Sequence, residues 1–139
     1  MTYDLHIHSC LSPCAEDDMT PATIAGFAKL NGIDVIAVAD HNSALNLPAV
    51  KIACDTYGVK LLPGIEVNTA EEIHLLTYFP TVEAALKMSD ALYEKLPAYP
   101  YDHNIWGRQL VLNEDDQLLQ EVDRLLTGAV GMDIYTVKR

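Results

Sequence analysis

The sequence predicts an α/β domain built on a mainly parallel sheet, and three observations carry that prediction. Short apolar runs alternate with helical stripes of about ten residues, the pattern of strands joined by crossover helices. The run Val35–Ala39 is continuously apolar, as a strand covered on both faces must be. Start and stop signals bracket the stretches between the runs, with Thr20-Pro21 opening one helix and Gly58 closing another. A chain of 139 residues, 50% of them hydrophobic, is long enough for one domain over 1–139 and too apolar for a disordered tail.

The first strand spans Tyr3 to His8, where alternation sends Leu5 and Ile7 one way and Asp4, His6 and His8 the other. A loop from Ser9 to Met19 follows. Thr20 is a natural N-cap and Pro21 suits a first turn, while Ile24, Phe27 and Ala28 form the apolar stripe of a helix that Gly32 ends. The second strand, Val35–Ala39, runs into Asp40 and His41. Pro48 opens a second helix with the stripe Val50, Ala53, Cys54 and Tyr57, which makes Cys54 a core residue. Val59 to Asn68 is extended around Pro63 and Gly64 and carries Glu66 near its end, and Ile73 to Phe79 is a further strand with His74 near its start. Thr81 caps a third helix, Val82 to Leu96, and Pro97 to Trp106 is a loop. Asn113 is expected to cap a fourth helix with the stripe Leu118, Leu119, Val122, Leu125 and Leu126. Asp133 to Arg139 reads as the cap and first turns of another helix, too short to be stable alone, so the domain is expected to be incomplete at its C-terminus.

With 20 acidic against 9 basic side chains and a net charge of -11, the chain repels a phosphate backbone and favours bound cations. Unless something positive is added at the site of contact, the charge argues against a general nucleic-acid binder, and no duplex nucleic acid is expected as a partner. No run approaches the ~20 apolar residues of a membrane span, and Met1 to His8 lacks the pattern of a signal peptide, so the expected location is cytoplasmic. Three cysteines, Cys10, Cys14 and Cys54, form an odd set that suits free thiols in a reducing compartment.

Four strands place a histidine or carboxylate near an end, where ligands gather in parallel sheets and barrels. His6 and His8, two residues apart on a strand, share a face with Cα atoms about 6.6 to 6.8 Å apart, close enough to hold one metal. A solvated strand face is the simpler reading of that pair alone. His41 is a candidate ligand with Asp40 orienting an imidazole, although Asp40-His41-Asn42-Ser43 is also good turn chemistry. Glu66 stands in an apolar strand, where a position bridging two cations would satisfy both its oxygens; the other reading is an exposed edge residue. His74, between Ile73 and Leu75, gives the same choice.

Taken together, Asp4-Leu5-His6-Ile7-His8-Ser9, Ala39-Asp40-His41-Asn42, Pro63-Gly64-Ile65-Glu66-Val67 and Ile73-His74-Leu75-Leu76 resemble the PHP (polymerase and histidinol phosphatase) family in order, spacing and strand context. The likeness extends through Trp106-Gly107-Arg108-Gln109 to the end of the chain. The resemblance implies the N-terminal part of a distorted seven-stranded (β/α) barrel with two or three divalent metals, zinc, manganese or iron, at the strand ends. It implies hydrolysis of phosphate esters in a small phosphorylated substrate or nucleotide. His6, His8 and Glu66 would hold one metal, Glu66 would bridge to a second held by His74, and His41 would belong to a third, with Glu66, His41 and Asp40 as the catalytic set.

Two departures from the family pattern matter. The loop after His8 offers Cys14 at about the position of a family ligand, with Asp17 or Asp18 as alternative donors for a harder metal. Nothing after His74 matches the family's C-terminal ligands: His103 reads as a surface residue and Arg108 as an ion-pair partner. The alternative function is therefore a non-catalytic metal-binding or protein-interaction module. Uncovered sheet edges in a partial barrel make a homodimer the expected assembly.

Overall fold

Strand β2 (Val35–His41) lies in the middle of a four-stranded sheet of order β1-β2-β3-β4, with Ile36 to Ala39 wholly buried. Both β1 (Tyr3–Ile7) and β3 (Lys60–Asn68) run parallel to it, whereas β4 (His74–Tyr78) pairs with β3 antiparallel. The computed structural model describes residues 1–97 and 101–137. Among these the sheet curls as a partial barrel of mainly parallel strands, and no closed seven-stranded barrel is present.

Helices α1 (Pro21–Leu30), α2 (Leu47–Tyr57) and α3 (Val82–Lys95) pack with the sheet around one core that includes Ile24, Ile36, Val38, Val50, Ile65 and Leu92. Their ends follow the local chemistry. The Thr20 hydroxyl accepts from the Thr23 amide and the Thr81 hydroxyl from the Ala84 amide, each satisfying a donor that the first helical turn leaves free. Gly58 closes α2 at φ 71°, a left-handed conformation that costs glycine little. Cys54 lies in the core, fully buried. No helix among the described residues is long and apolar enough to cross a membrane.

The stretch expected to be a fourth helix is a hairpin instead. β5 (Leu110–Leu112) pairs antiparallel with β6 (Leu118–Glu121), and Asn113 closes the turn by accepting from the Asp115 and Gln117 amides. Asp116 takes φ 61°, which suits a turn and breaks a helix. The apolar stripe is split accordingly: Val122 and Leu126 are buried after the hairpin, while Leu118 and Leu119 face solvent at 53% and 65% exposure. Within 97–106, α4 (His103–Trp106) is a single turn, and residues 98–100 lie outside the described part. α5 (Ile134–Val137) is the short turn expected there, with Lys138 and Arg139 outside the described residues.

Buried carboxamides fasten this last segment to the strand ends. Gln109 donates to the Val122 and Arg124 carbonyls and accepts from the Leu126 amide. Asn42 donates to the Leu126 and Gly128 carbonyls and accepts from the Asn68 amide, and Asn46 donates to the Leu110 carbonyl and accepts from the Leu112 amide. Gln109→Ala strands two carbonyls and an amide at about 1–3 kcal/mol per buried group. Chemical denaturation is expected to show a loss of at least about 2 kcal/mol; an unchanged midpoint contradicts this role.

Candidate metal centre

Glu66 near the end of β3 is only 6% exposed, yet four imidazoles surround its carboxylate. Its Oε2 lies 3.2 Å from His6 Nε2, 3.0 Å from His8 Nε2 and 3.5 Å from His41 Nδ1, and its Oε1 lies 3.3 Å from His74 Nδ1. The sheet register brings them together. His41 stands beside Glu66 on adjacent parallel strands, and Asn68 opposite His74 turns the chain back towards the same carboxylate. The His8 and His41 rings stack 4.6 Å apart, with His6 and His74 meeting them edge-on.

The alternation expected in β1 fails at one point. Asp4 pairs with Ile36 and Ile7 with Val38, so Leu5 and His6 together stand against Ala37 in a β-bulge. Asp4 consequently lines a groove of about 200 Å³ with Ile7, Ile24 and Phe27 beside α1, and does not share the face of His6 and His8.

Three groups of donor atoms lie within 4.8 Å of one another: His6 with His8 and Glu66, His41 with Glu66 and His74, and His8 with Cys14 and His41. Among the described residues, Asp17 and Asp18 join none of them and are exposed ahead of α1. The fit to a metal rests on His41, whose buried Nδ1 has no hydrogen-bond partner among the described residues. An orphaned ring nitrogen costs free energy unless something accepts its lone pair, which a cation does. Burial pulls the His41 pKa down to about 4 against the opposing pull of Glu66. For Glu66, burial acts upward, but the imidazoles of His6, His41 and His8 outweigh it and hold the carboxyl below its usual range. Near neutral pH the site therefore presents an ionised carboxylate and a neutral His41 ring, the states that metal ligation needs.

Asp40 is fully enclosed and makes no ion pair with an imidazole among the described residues. Burial pushes its pKa up, opposed by bonds from the Ser9 amide at 2.7 Å, the Ser9 hydroxyl at 2.6 Å and the Ser12 hydroxyl at 2.8 Å. Ser12 carries its influence onward. With its hydroxyl donating a hydrogen bond to Asp40, the Ser12 oxygen accepts from the His41 amide at 3.1 Å and faces His8 Nδ1 at 3.4 Å. A hydrogen on Nδ1 directed at Ser12 would leave the lone pair of Nε2, 3.0 Å from Glu66 Oε2, for a cation between them. Sequence reasoning missed Ser12; the available signal was that a buried Asp40 requires donors from somewhere.

Cys14 is exposed, and burial of its sulfur, then Asp40 and Glu66, raise its thiol pKa. Arg108 pairs with Glu121 at 3.5 Å on the surface. His103 opens α4, and its side chain lies outside the described part.

The family model for the PHP domain matches residues 4–127. The chain belongs to the PHP domain family. This PHP chain is 31% identical over 101 residues to a 5'-3' exoribonuclease of Haemophilus influenzae, an alignment covering 67% of the chain and 36% of that protein. It is 29% identical over 128 residues to an uncharacterised protein of Methanocaldococcus jannaschii, covering 92% of the chain and 15% of that protein. Among solved structures, a protein of Bifidobacterium adolescentis described as a candidate metal-dependent phosphoesterase matches with TM-score 0.54 and 26% identity, over 68% of this chain and 34% of that one. An amidohydrolase of Chromobacterium violaceum, 22% identical with TM-score 0.51, shares the fold over 68% of the chain and 34% of its own. The PHP chain thus spans about a third of the Haemophilus relative and of these structures.

The pKa shifts set a pH dependence for the metal-free PHP chain. Between about pH 4 and 6.5 unfolded His41 binds a proton that the folded ring refuses, so stability rises with pH across that window. Glu66 acts in the same sense below about pH 4.5, because its folded carboxyl stays ionised while the unfolded one protonates. Thermal denaturation in chelator is expected to show the melting temperature falling as pH drops from 6.5 to 4, and falling less in His41→Leu; an unchanged slope refutes the assignment.

Proposed function

We propose that this PHP chain carries the metal-binding part of a metal-dependent phosphoesterase, with phosphate esters of small molecules or nucleotides as substrates. One observation carries the reading: a single buried carboxylate on β3 within 3.5 Å of four imidazoles drawn from the other three strands of the sheet, two of them from β1 and its end. His6, His8 and Glu66 would hold one divalent cation, and His41, Glu66 and His74 a second, with Glu66 shared between them. Bound there, such ions supply Lewis acidity and a water that ionises near neutral pH. Glu66 supplies the negative charge that binds the ions, His41 supplies a neutral ring, and Asp40 acts through Ser12 to hold His8 in the ligating tautomer.

The third group, Cys14 with His8 and His41, supports a reading as a softer site, with Asp17 and Asp18 read as part of the approach to α1. The Haemophilus exoribonuclease relative favours a nucleic-acid end as one class of phosphate ester, and the net charge of -11 disfavours a duplex. The four strands are read as the opening of a seven-stranded barrel. Free thiols at Cys10, Cys14 and Cys54 suit a cytoplasmic setting.

Elemental analysis after reconstitution with manganese or zinc is expected to find bound metal, and Glu66→Gln is expected to lose most of it. In the full protein, phosphomonoester hydrolysis is expected to fall by at least about 100-fold in Glu66→Gln. Metal uptake without hydrolysis in the full protein selects a non-catalytic module. For Cys14, cobalt-loaded protein is expected to show a thiolate-to-cobalt charge-transfer band that Cys14→Ser abolishes, and its absence in the wild-type chain rules out the thiolate.

A further inference from the structure

The bulge in β1 is held from both sides by side chains, and those side chains act on His6. Leu5 and His6 share one peptide unit. Its carbonyl accepts from the Tyr78 hydroxyl at 2.7 Å, and its amide donates to Asp4 Oδ1 at 3.2 Å. A bulge turns the extra residue out of regular ladder pairing, so the plane of this peptide is set by whatever else bonds to it. Here the partners come from the strand's own beginning and from β4, two strands beyond its neighbour β2.

Tyr78 reaches β1 because the sheet face beneath it is cut down to small residues. A Cβ built on Gly64 would stand 3.3 Å from Tyr78 Cδ1 and 3.2 Å from the Ala39 Cβ. Glycine at 64 therefore lets the ring lie close to the sheet, with its hydroxyl over the first strand. His6 needs such support. Its side chain is 43% exposed, and among the described residues its ring has only Glu66 at 3.2 Å and the edge contact with His8 to fix it.

We propose that Tyr78 and Asp4 are positioning residues that orient the Leu5–His6 peptide and so aim the His6 ring at the carboxylate of Glu66. The inference rests on the proposed metal site, since aim has a consequence only where His6 ligates. Neither residue touches the donor atoms. Removing the hydroxyl in Tyr78→Phe keeps the ring over Gly64 and frees one end of the peptide; Asp4→Ala frees the other, while Asp4→Asn keeps an acceptor oxygen.

The test is manganese affinity by competition with a chelating dye, alongside melting of the metal-free protein. Tyr78→Phe and Asp4→Ala are each expected to weaken the first equivalent about 10-fold, Asp4→Asn to restore it, and the metal-free melting temperature to stay near wild type. In a His6→Ala background, which removes the aimed ring, Tyr78→Phe is expected to change the residual affinity less than twofold. Unchanged affinity in Tyr78→Phe, or the same loss with and without His6, overturns the positioning role. A wild-type chain that takes up no metal overturns the proposed function and this inference with it, a result distinct from either of those.

Discussion

A carboxylate taken out of water must be paired or it will not stay ionised, and Glu66 imposes that condition on the whole sheet. Its two oxygens are met by rings from β1 and its end, from β2 and from β4, the three other strands of the sheet. None of the imidazoles is a neighbour of Glu66 in sequence, so the arrangement exists only when the strands are in register. A slip of one residue in β2 or β3 would turn His41 or Glu66 to the opposite face and leave charge buried against apolar side chains. The electrostatics of the centre and the alignment of the sheet are one requirement.

Asp40 solves the same problem differently. It is the more enclosed carboxyl, and it is satisfied by hydroxyls and an amide of the Ser9–Ser12 loop instead of by rings. The loop is pinned where β1 ends, and Ser12 is left with lone pairs directed at His8 and the His41 amide. Two adjacent residues of β2 thus face opposite sides: Asp40 anchors a loop behind the donor atoms while His41 stands among them.

Much of this was legible in the sequence. The first four strands, the Thr20 and Thr81 caps, the Gly58 stop and the candidate donor residues all follow from local chemistry, because each depends on a few adjacent positions. What was not legible depends on distant partners. The bulge at Leu5–His6 is supported by Tyr78, and no local pattern announces it. The hairpin at 110–121 carries an apolar spacing that suits a helix, and the Asn113 turn and the burial of Val122 and Leu126 decide against it. The carboxamides of Asn42, Asn46 and Gln109 read as ordinary polar residues until the carbonyls they serve are known.

The reversal of β4 has a mechanical consequence. Three strands deliver their donors at or just beyond their C-terminal ends across helical connections, and those connections can change length without disturbing the strand ends. His74 arrives at the beginning of its strand after a tight reversal, in which the Thr69 amide bonds the Ile73 carbonyl and Glu72 adopts φ 63°. Glu66 and His74 are therefore two prongs of one stiff fork, and an insertion between them would splay it. Diversification within this architecture has room in the helices and almost none in that bend.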